Sequence, residues 1–281
     1  MFKIAILPNI EKDKNLATTK LLCSLLQNRA NVLLSNQFAA LALDVEYVSD
    51  NDLFEKADIM LVLGGDGSLL HAAREASHHG LPLLGINLGR LGFLAQAEKG
   101  DISSCIEKIL SHDYTVEDRM MLHVEVCHEN QIKQTFDVLN DVVISRFTMA
   151  RMINAEVYTN GTLMQKYTAD GLIISTPTGS TAYCLSAGGP IIDPMVEAII
   201  TTAICPHNLN TRTVVMPPDK TVTVKLASLQ SPQALALFDG DNGYILEEND
   251  TITITKSNLH TKLIWTKDAD FYHVLHYKLS H

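Results

Sequence analysis

The chain has 281 residues with a formal net charge of −10, 46% of them apolar and 19% charged. That length allows a large core and two domains, while the acidic balance argues against general affinity for nucleic acid or an anionic membrane. Five scattered cysteines with no Cys-x-x-Cys pair argue against a disulfide framework or a zinc site and suggest a reduced, cytoplasmic setting.

In chain order, residues 3–7 read as a strand that opens the chain and stops at Pro8; this run is too short in apolar residues for a signal peptide. Residues 16–27 carry Leu21, Leu22, Leu25 and Leu26 on one helical face. Residues 44–48 read as a short strand. Residues 58–63 read as a central strand, apolar enough to be buried on both faces. A helix is expected over 69–77, ended by His78-His79-Gly80, and a further strand over 81–86. Strands alternating with helices imply a parallel, doubly wound sheet, in which ligands sit at the carboxyl ends of strands. Residues 102–110 read as a helix that closes this domain.

From Leu122 onward the pattern alternates, as in Ile153-Asn154-Ala155-Glu156-Val157-Tyr158 and Thr251-Ile252-Thr253-Ile254-Thr255. Asn160-Gly161 is the pair of a tight hairpin. A β-rich, sandwich-like second domain is expected over 113–267, after an α/β domain over 1–112. Phe271, Val274, Leu275 and Leu279 recur at helical spacing, so residues 268–281 are expected to return to the first domain as a helix. No stretch approaches a membrane-spanning length, and no membrane partner is expected.

Three stretches could carry chemistry. The central strand runs into Gly64-Gly65-Asp66-Gly67-Ser68. A glycine-rich turn between a strand and a helix aims backbone N–H groups and the positive helix end at one spot, which suits phosphate. Gly64, Gly65, Gly67 and Ser68 are the expected phosphate-binding residues. A carboxylate there, Asp66, makes sense if it orients a hydroxyl, accepts its proton or meets a metal; the bland alternative is a helix cap. Asn140-Asp141 interrupts an apolar run, where two polar groups are costly unless bonded. They mark either a strand end or an amide and carboxylate that grip a ligand. The third stretch runs from Thr168 and Asp170 through a buried strand into Thr176-Pro177-Thr178-Gly179-Ser180-Thr181-Ala182-Tyr183, a loop dense in hydroxyls and small residues. It suits close packing round a polar planar ligand. The eleven histidines show no metal spacing, and the fingerprint Gly-x-Gly-x-x-Gly is missing.

Together, Gly64-Gly65-Asp66-Gly67, Gly85-Ile86-Asn87-Leu88-Gly89, Asn140-Asp141 and the run from Asp170 to Tyr183 resemble the NAD kinases in order and spacing, over nearly the whole chain. The resemblance implies transfer of the γ-phosphoryl of ATP to the 2′-hydroxyl of the adenosine ribose of NAD, giving NADP. It implies a divalent metal, usually Mg2+, and a homodimer or homotetramer in which a neighbouring subunit helps to hold NAD. It makes Asp66 the catalytic carboxylate. It assigns NAD contacts to Asp66, Gly67, Asn140, Asp141, Arg151, Thr168, Asp170, Thr181, Ala182, Tyr183, Cys184, Leu185 and Ser186. Two departures stand out: the family usually has Asn-Glu where this chain has Asn140-Asp141, and often glutamine where Asp241 aligns. Two rival readings remain: a lipid or sugar-phosphate kinase sharing the Gly-Gly-Asp-Gly turn, and a non-catalytic dinucleotide sensor.

Overall fold

A computed structural model describes residues 2–89, 92–95, 97–147, 152–226, 234–266 and 271–280. The chain divides into two compact units, one of Met1–Asp118 with Thr261–His281 and one of Arg119–His260.

The first unit begins with β1 (Lys3–Leu7), α1 (Ala17–Leu26), β2 (Asn31–Ser35), β3 (Glu46–Val48) and α2 (Asp50–Lys56). It continues with β4 (Ile59–Gly64), α3 (Asp66–His79), β5 (Leu83–Asn87), β6 (Ala97–Glu98) and α4 (Ile102–Leu110). The strands pair in parallel in the order β3-β2-β1-β4-β5, with β6 beside β5. All six residues of β4 are buried, as a central strand covered on both faces must be. Leu22 and Leu26 of α1 and Ile106 and Ile109 of α4 join one cluster with Ile4, Ile6, Leu61, Leu63 and Ile86 of the sheet. Helix α3 buries Leu69, Ala72, Ala73 and Ala76 and packs on β4 and β5.

Strand β2 and helix α2 carry too short a pattern to stand out in the sequence. β2 has three consecutive apolar residues and α2 buries Leu53 alone. What starts α2 is the Ser49 hydroxyl, which accepts the Asp52 N–H at 3.2 Å. Helix α3 begins three residues earlier than its apolar pattern predicts, so Asp66 lies in its first turn. Gly80, at φ 59°, closes α3 with its N–H on the Ala76 and Ser77 carbonyls.

The second unit is antiparallel wherever its pairing is described. It contains β7 (Thr115–His128, whose first residues belong to the first unit), β8 (Gln131–Val138), β9 (Asp141–Arg146), β10 (Ile153–Thr159), β11 (Thr162–Ala169) and β12 (Gly171–Ser175). After these come the single turn α5 (Tyr183–Ser186), β13 (Ile199–Ile204), β14 (Val214–Met216), β15 (Val222–Leu226), β16 (Ala234–Phe238) and β17 (Asp241–Leu246). One sheet has the order β14-β13-β12-β9-β16-β17. The other runs β11-β10-β15 to β18 (Asp250–Trp265), with β7 beside β18 and β8 beside β7. A shared core takes Leu122, Val124, Val157, Val224 and Ile252 from one sheet and Val142, Ile144, Leu172, Ile199 and Phe238 from the other. That is a sandwich. The β10–β11 hairpin turns on Asn160 and Gly161, both at positive φ, with Thr159 opposite Thr162.

The end of β18 belongs to the first unit, where Leu263 pairs in parallel with Leu83. It is followed by α6 (Phe271–Ser280), whose Phe271 ring lies 6.2 Å from that of Phe93. Among the described residues no helix is long and apolar enough to cross a membrane.

Phe238 is fully buried and stacks on Phe136 at 3.7 Å between centroids. Phe238→Ala is expected to lower the unfolding free energy by about 3–5 kcal/mol. Urea denaturation followed by fluorescence measures this; a loss below about 1 kcal/mol would show that the sandwich core does not depend on this ring.

Candidate active site

In the first unit the site is built at the carboxyl ends of β1 and β4. These are adjacent parallel strands whose crossovers depart in opposite senses, and such a switch point is where doubly wound sheets take ligands. Gly64 ends β4 at φ 145°, and a Cβ there would collide with the Ser68 side chain. Only glycine therefore lets the chain turn this sharply into α3. The Leu88 N–H bonds the Gly64 carbonyl at 2.8 Å, so the loop after β5 is fastened to the same turn.

Asp66 does not cap its own helix. Its carboxylate instead accepts the backbone N–H groups of Phe93 at 2.8 Å, Leu94 at 3.1 Å and Ala95 at 3.0 Å. A Cβ on Gly92 would overlap the Asp66 carboxylate, so the loop reaches it only because residue 92 is glycine. Three donors use most of the roughly four acceptor positions of a carboxylate, leaving about one for a ligand. Gly67 is exposed and Ser68 half-buried.

Two neighbours carried no signal in the sequence. Asn9, just past β1, donates its amide to the Ser68 hydroxyl at 2.9 Å. Its Oδ1 accepts the Lys12 N–H at 3.0 Å. The Lys12 ammonium lies closest of all atoms to the open side of Gly65, 3.3 Å from where a Cβ would stand. The buried Asp13 fixes this loop by accepting the Thr18 and Thr19 N–H groups at 2.8 and 2.9 Å. Burial raises its carboxyl, but the Thr19 hydroxyl, which donates at 2.7 Å, and these N–H groups outweigh that and leave its pKa lowered. In a chain of net charge −10, Lys12 places a positive charge beside this glycine turn.

In the second unit, Asn140 and Asp141 stand at the entry of β9, 9% and 5% exposed. The Thr176 N–H and the Ser175 hydroxyl both bond the Asn140 carbonyl, at 2.9 and 3.1 Å. The Thr176 hydroxyl bonds the Leu139 carbonyl at 2.6 Å and accepts the Gly179 N–H at 3.0 Å. Two stretches more than thirty residues apart thus form one surface. The Asn140 amide oxygen is buried there with no hydrogen-bonding partner among the described residues, a costly state for a group that a ligand donor would satisfy. Burial, and then the charge of Asp239, raise the Asp141 carboxyl to about 7.

The run from Thr181 to Ser186 curls over the six-stranded sheet. Tyr183 and Ser186 are exposed, Thr181, Ala182 and Leu185 are half-buried, and Cys184 points into an apolar cluster with Val143, Ile173 and Ile200. Its thiol lies 3.3 Å from the Thr202 hydroxyl. Thr168 is exposed and bonds Asn154 at 2.7 Å, and Asp170 pairs with Arg146 at 2.8 Å. Asp170 precedes one end of β12, whereas Asp141 is opposite Ser175 at the other end. Five residues of strand separate them, roughly 16 Å. Arg151 lies outside the described residues.

Two family models match the chain: the ATP-NAD kinase N-terminal domain over residues 4–114 and the ATP-NAD kinase C-terminal domain over residues 139–266. The chain belongs to the ATP-NAD kinase family. The NAD kinase of Caldanaerobacter subterraneus subsp. tengcongensis is 39% identical over 282 residues, spanning 100% of this chain and 99% of that one. The NAD kinase of Acetivibrio thermocellus is 40% identical over 281 residues, 99% of this chain and 97% of its own. Among solved structures, the fold is similar to yeast NADH kinase complexed with NADH, with TM-score 0.90, 23% identity and coverage of 100% and 88%. It is also similar to an NAD kinase from Archaeoglobus fulgidus in complex with ATP, with TM-score 0.76, 23% identity and coverage of 100% and 99%.

The raised Asp141 carboxyl links stability to pH. The native chain holds this proton more tightly than the unfolded chain does. Its contribution is therefore complete below about pH 4 and is lost as the pH rises through about 7. Asp141→Asn removes the dependence. Its stability advantage over the wild type should widen by about 1–3 kcal/mol between pH 5 and pH 8. Melting curves at the two pH values decide this, and a constant difference would rule out a neutral-pH titration at Asp141.

Proposed function

We propose that this chain is an NAD kinase, transferring the γ-phosphoryl of ATP to the 2′-hydroxyl of the adenosine ribose of NAD to give NADP. The observation that carries the reading is full-length relatedness, near 40% identity, to proteins named NAD kinase. The yeast and Archaeoglobus proteins of the same fold were solved with NADH and with ATP, the two ligand types this reaction requires.

Gly64, Gly65, Gly67 and Ser68 hold the phosphates through backbone N–H groups and a hydroxyl, with Lys12 offsetting charge. The remaining acceptor position of Asp66 takes the ribose hydroxyl. There Asp66 orients the 2′-oxygen towards the γ-phosphorus while the bond to ADP breaks, and the hydroxyl proton leaves to Asp66 or to solvent. Because three amides already engage this carboxylate, orientation is its larger task. Phosphoryl transfer has a loose transition state, so positioning and charge neutralisation supply most of the rate. Asn140 and Asp141 take the dinucleotide, the orphaned Asn140 oxygen accepting one of its donors. Gly67 and residues 181–186 complete the contacts, Cys184 by its backbone, and Arg151, Thr168 and Asp170 add the rest.

Among the described residues no group of three or more His, Cys, Asp or Glu side chains is arranged to hold a metal ion. A divalent ion, proposed as Mg2+, would be held mainly by the triphosphate oxygens of ATP. When bound, that ion neutralises phosphate charge. Self-association into a homodimer or homotetramer is supported by the distance between Asp170 and Asp141 along β12, since a second copy could supply Asp170. Five free cysteines, three of them buried, support a reducing cytoplasmic setting.

Incubation with NAD, ATP and Mg2+ should yield NADP, read with an NADP-specific dehydrogenase. Phosphorylation of diacylglycerol or fructose 6-phosphate in preference to NAD would favour the rival kinase, and NAD binding without product would favour a sensor. Asp66→Asn should lower turnover by about 10²–10⁴-fold with little change in NAD affinity. Full activity in that variant removes Asp66 from the chemistry. Lys12→Met should raise the KM for ATP by about tenfold, with Lys12→Arg recovering most of it. An unchanged KM would take Lys12 away from the phosphates.

A further inference from the structure

We propose that Asp239 is a positioning residue for the dinucleotide: its carboxylate fixes the backbone of residues 139–141 in the arrangement that offers the Asn140 amide and the Asp141 carboxyl to NAD. The inference rests on the reading of this chain as an NAD kinase. Asp239 sits in the two-residue turn between β16 and β17, where Phe238 pairs with Asp241. Asp239 and Gly240 are at φ 53° and 75°, the positive values such a turn requires of both central residues. From there one Asp239 oxygen accepts the Leu139 N–H at 2.8 Å. The other accepts the Asn140 N–H at 2.7 Å and the Asp141 N–H at 3.2 Å. In return the Asp239 N–H bonds the Asp141 carbonyl at 3.0 Å.

This clamp joins residues about a hundred positions apart and grips a segment at the point where it enters β9. Nothing in it is saturated by the ligand-facing groups themselves. The Asn140 oxygen stays buried and unpartnered, and Asp141 stays 5% exposed. A flexible segment would turn that oxygen towards some donor of its own. Holding the backbone from behind, by N–H groups, keeps the oxygen available.

The clamp also places two carboxyl groups close together. Among the described residues, Asp141 interacts electrostatically with Asp239 from the turn and with the Cys184 thiol from α5, and Ser175, opposite on β12, is neutral. Burial, and then the negative charge of Asp239, favour a proton on Asp141, so NAD contacts that need an ionised Asp141 should strengthen as the pH rises through neutrality.

Asp239→Asn is a clean probe because Asn-Gly suits the same turn. It removes the charge and sets an amide group against N–H donors. It should raise the KM for NAD by about tenfold, with kcat and the KM for ATP changed less than about twofold. The pH at which the KM for NAD improves should move to lower values. A residue with a merely structural role would lower the melting temperature without moving that pH. Asp239→Glu keeps the charge but displaces it: the KM for NAD should rise while the pH dependence stays. Calorimetric titration with NAD, run alongside turnover, separates the two possible failures. If the wild type binds NAD and makes no NADP, the kinase reading falls, and about tenfold weaker binding by Asp239→Asn still supports the clamp. If both variants bind NAD as the wild type does, with an unshifted pH dependence, the clamp is overturned.

Discussion

Each unit depends on the same kind of interaction, a carboxylate that gathers consecutive backbone N–H groups from a distant part of the chain. Asp66 holds residues 93–95, and Asp239 holds residues 139–141. Asp13 does the same for the start of α1 through Thr18 and Thr19. Hydrogen bonds to a charged group contribute about 1.5–3 kcal/mol each, more than neutral ones. They are also directional, so Asp66 sets the path of a loop, while Asp13 and Asp239 fix the points where α1 and β9 begin.

This arrangement reconciles two demands on a phosphate-transfer site in an acidic protein. Loops that approach phosphate need free N–H groups and little side-chain bulk, which makes them intrinsically unstable. Anchoring the loops by internal carboxylates gives them fixed shapes without side chains projecting towards the ligand. The cost is negative charge close to a site for anions. In the first unit that cost is offset by the ends of β4 and α3 and by the Lys12 ammonium over Gly65. In the second unit Asp141 is buried and faces the like charge of Asp239, and it responds by holding a proton up to about pH 7.

The two units use their sheets differently. The parallel sheet buries β4 on both faces and presents only its strand ends. The sandwich instead buries one face of the six-stranded sheet against its partner sheet and covers part of the other with the Cys184 cluster. The segment that makes this cover, residues 178–189, is also the segment that meets the Asn140 backbone. Core packing and ligand contact are therefore properties of the same short stretch.

The periodicity of the sequence determined the parallel α/β unit, the alternating β-rich unit, the Asn160-Gly161 hairpin and the terminal helix, because those patterns express which faces are buried. The glycines of the 64–67 turn and the Asn140-Asp141 interruption were legible too, since both break an apolar run at a cost that needs a reason. Tertiary structure alone decided what those residues do. Asp66 reads in sequence as a carboxylate for a hydroxyl, a proton or a metal, with a helix cap as the bland alternative, and nothing local shows that its carboxylate binds a loop 27 to 29 residues downstream. Asn9 and Lys12 have no local pattern, and Asp239-Gly240 reads locally only as a hairpin turn, because a hydrogen bond between strand ends depends on which strands become neighbours. Cys184 reads as one of six equivalent contact residues until its burial turns it inward. The separation of Asp170 from Asp141 is likewise a matter of register, fixed by which end of β12 meets which end of β9. Local periodicity encodes burial; it does not encode which distant backbone a carboxylate will reach.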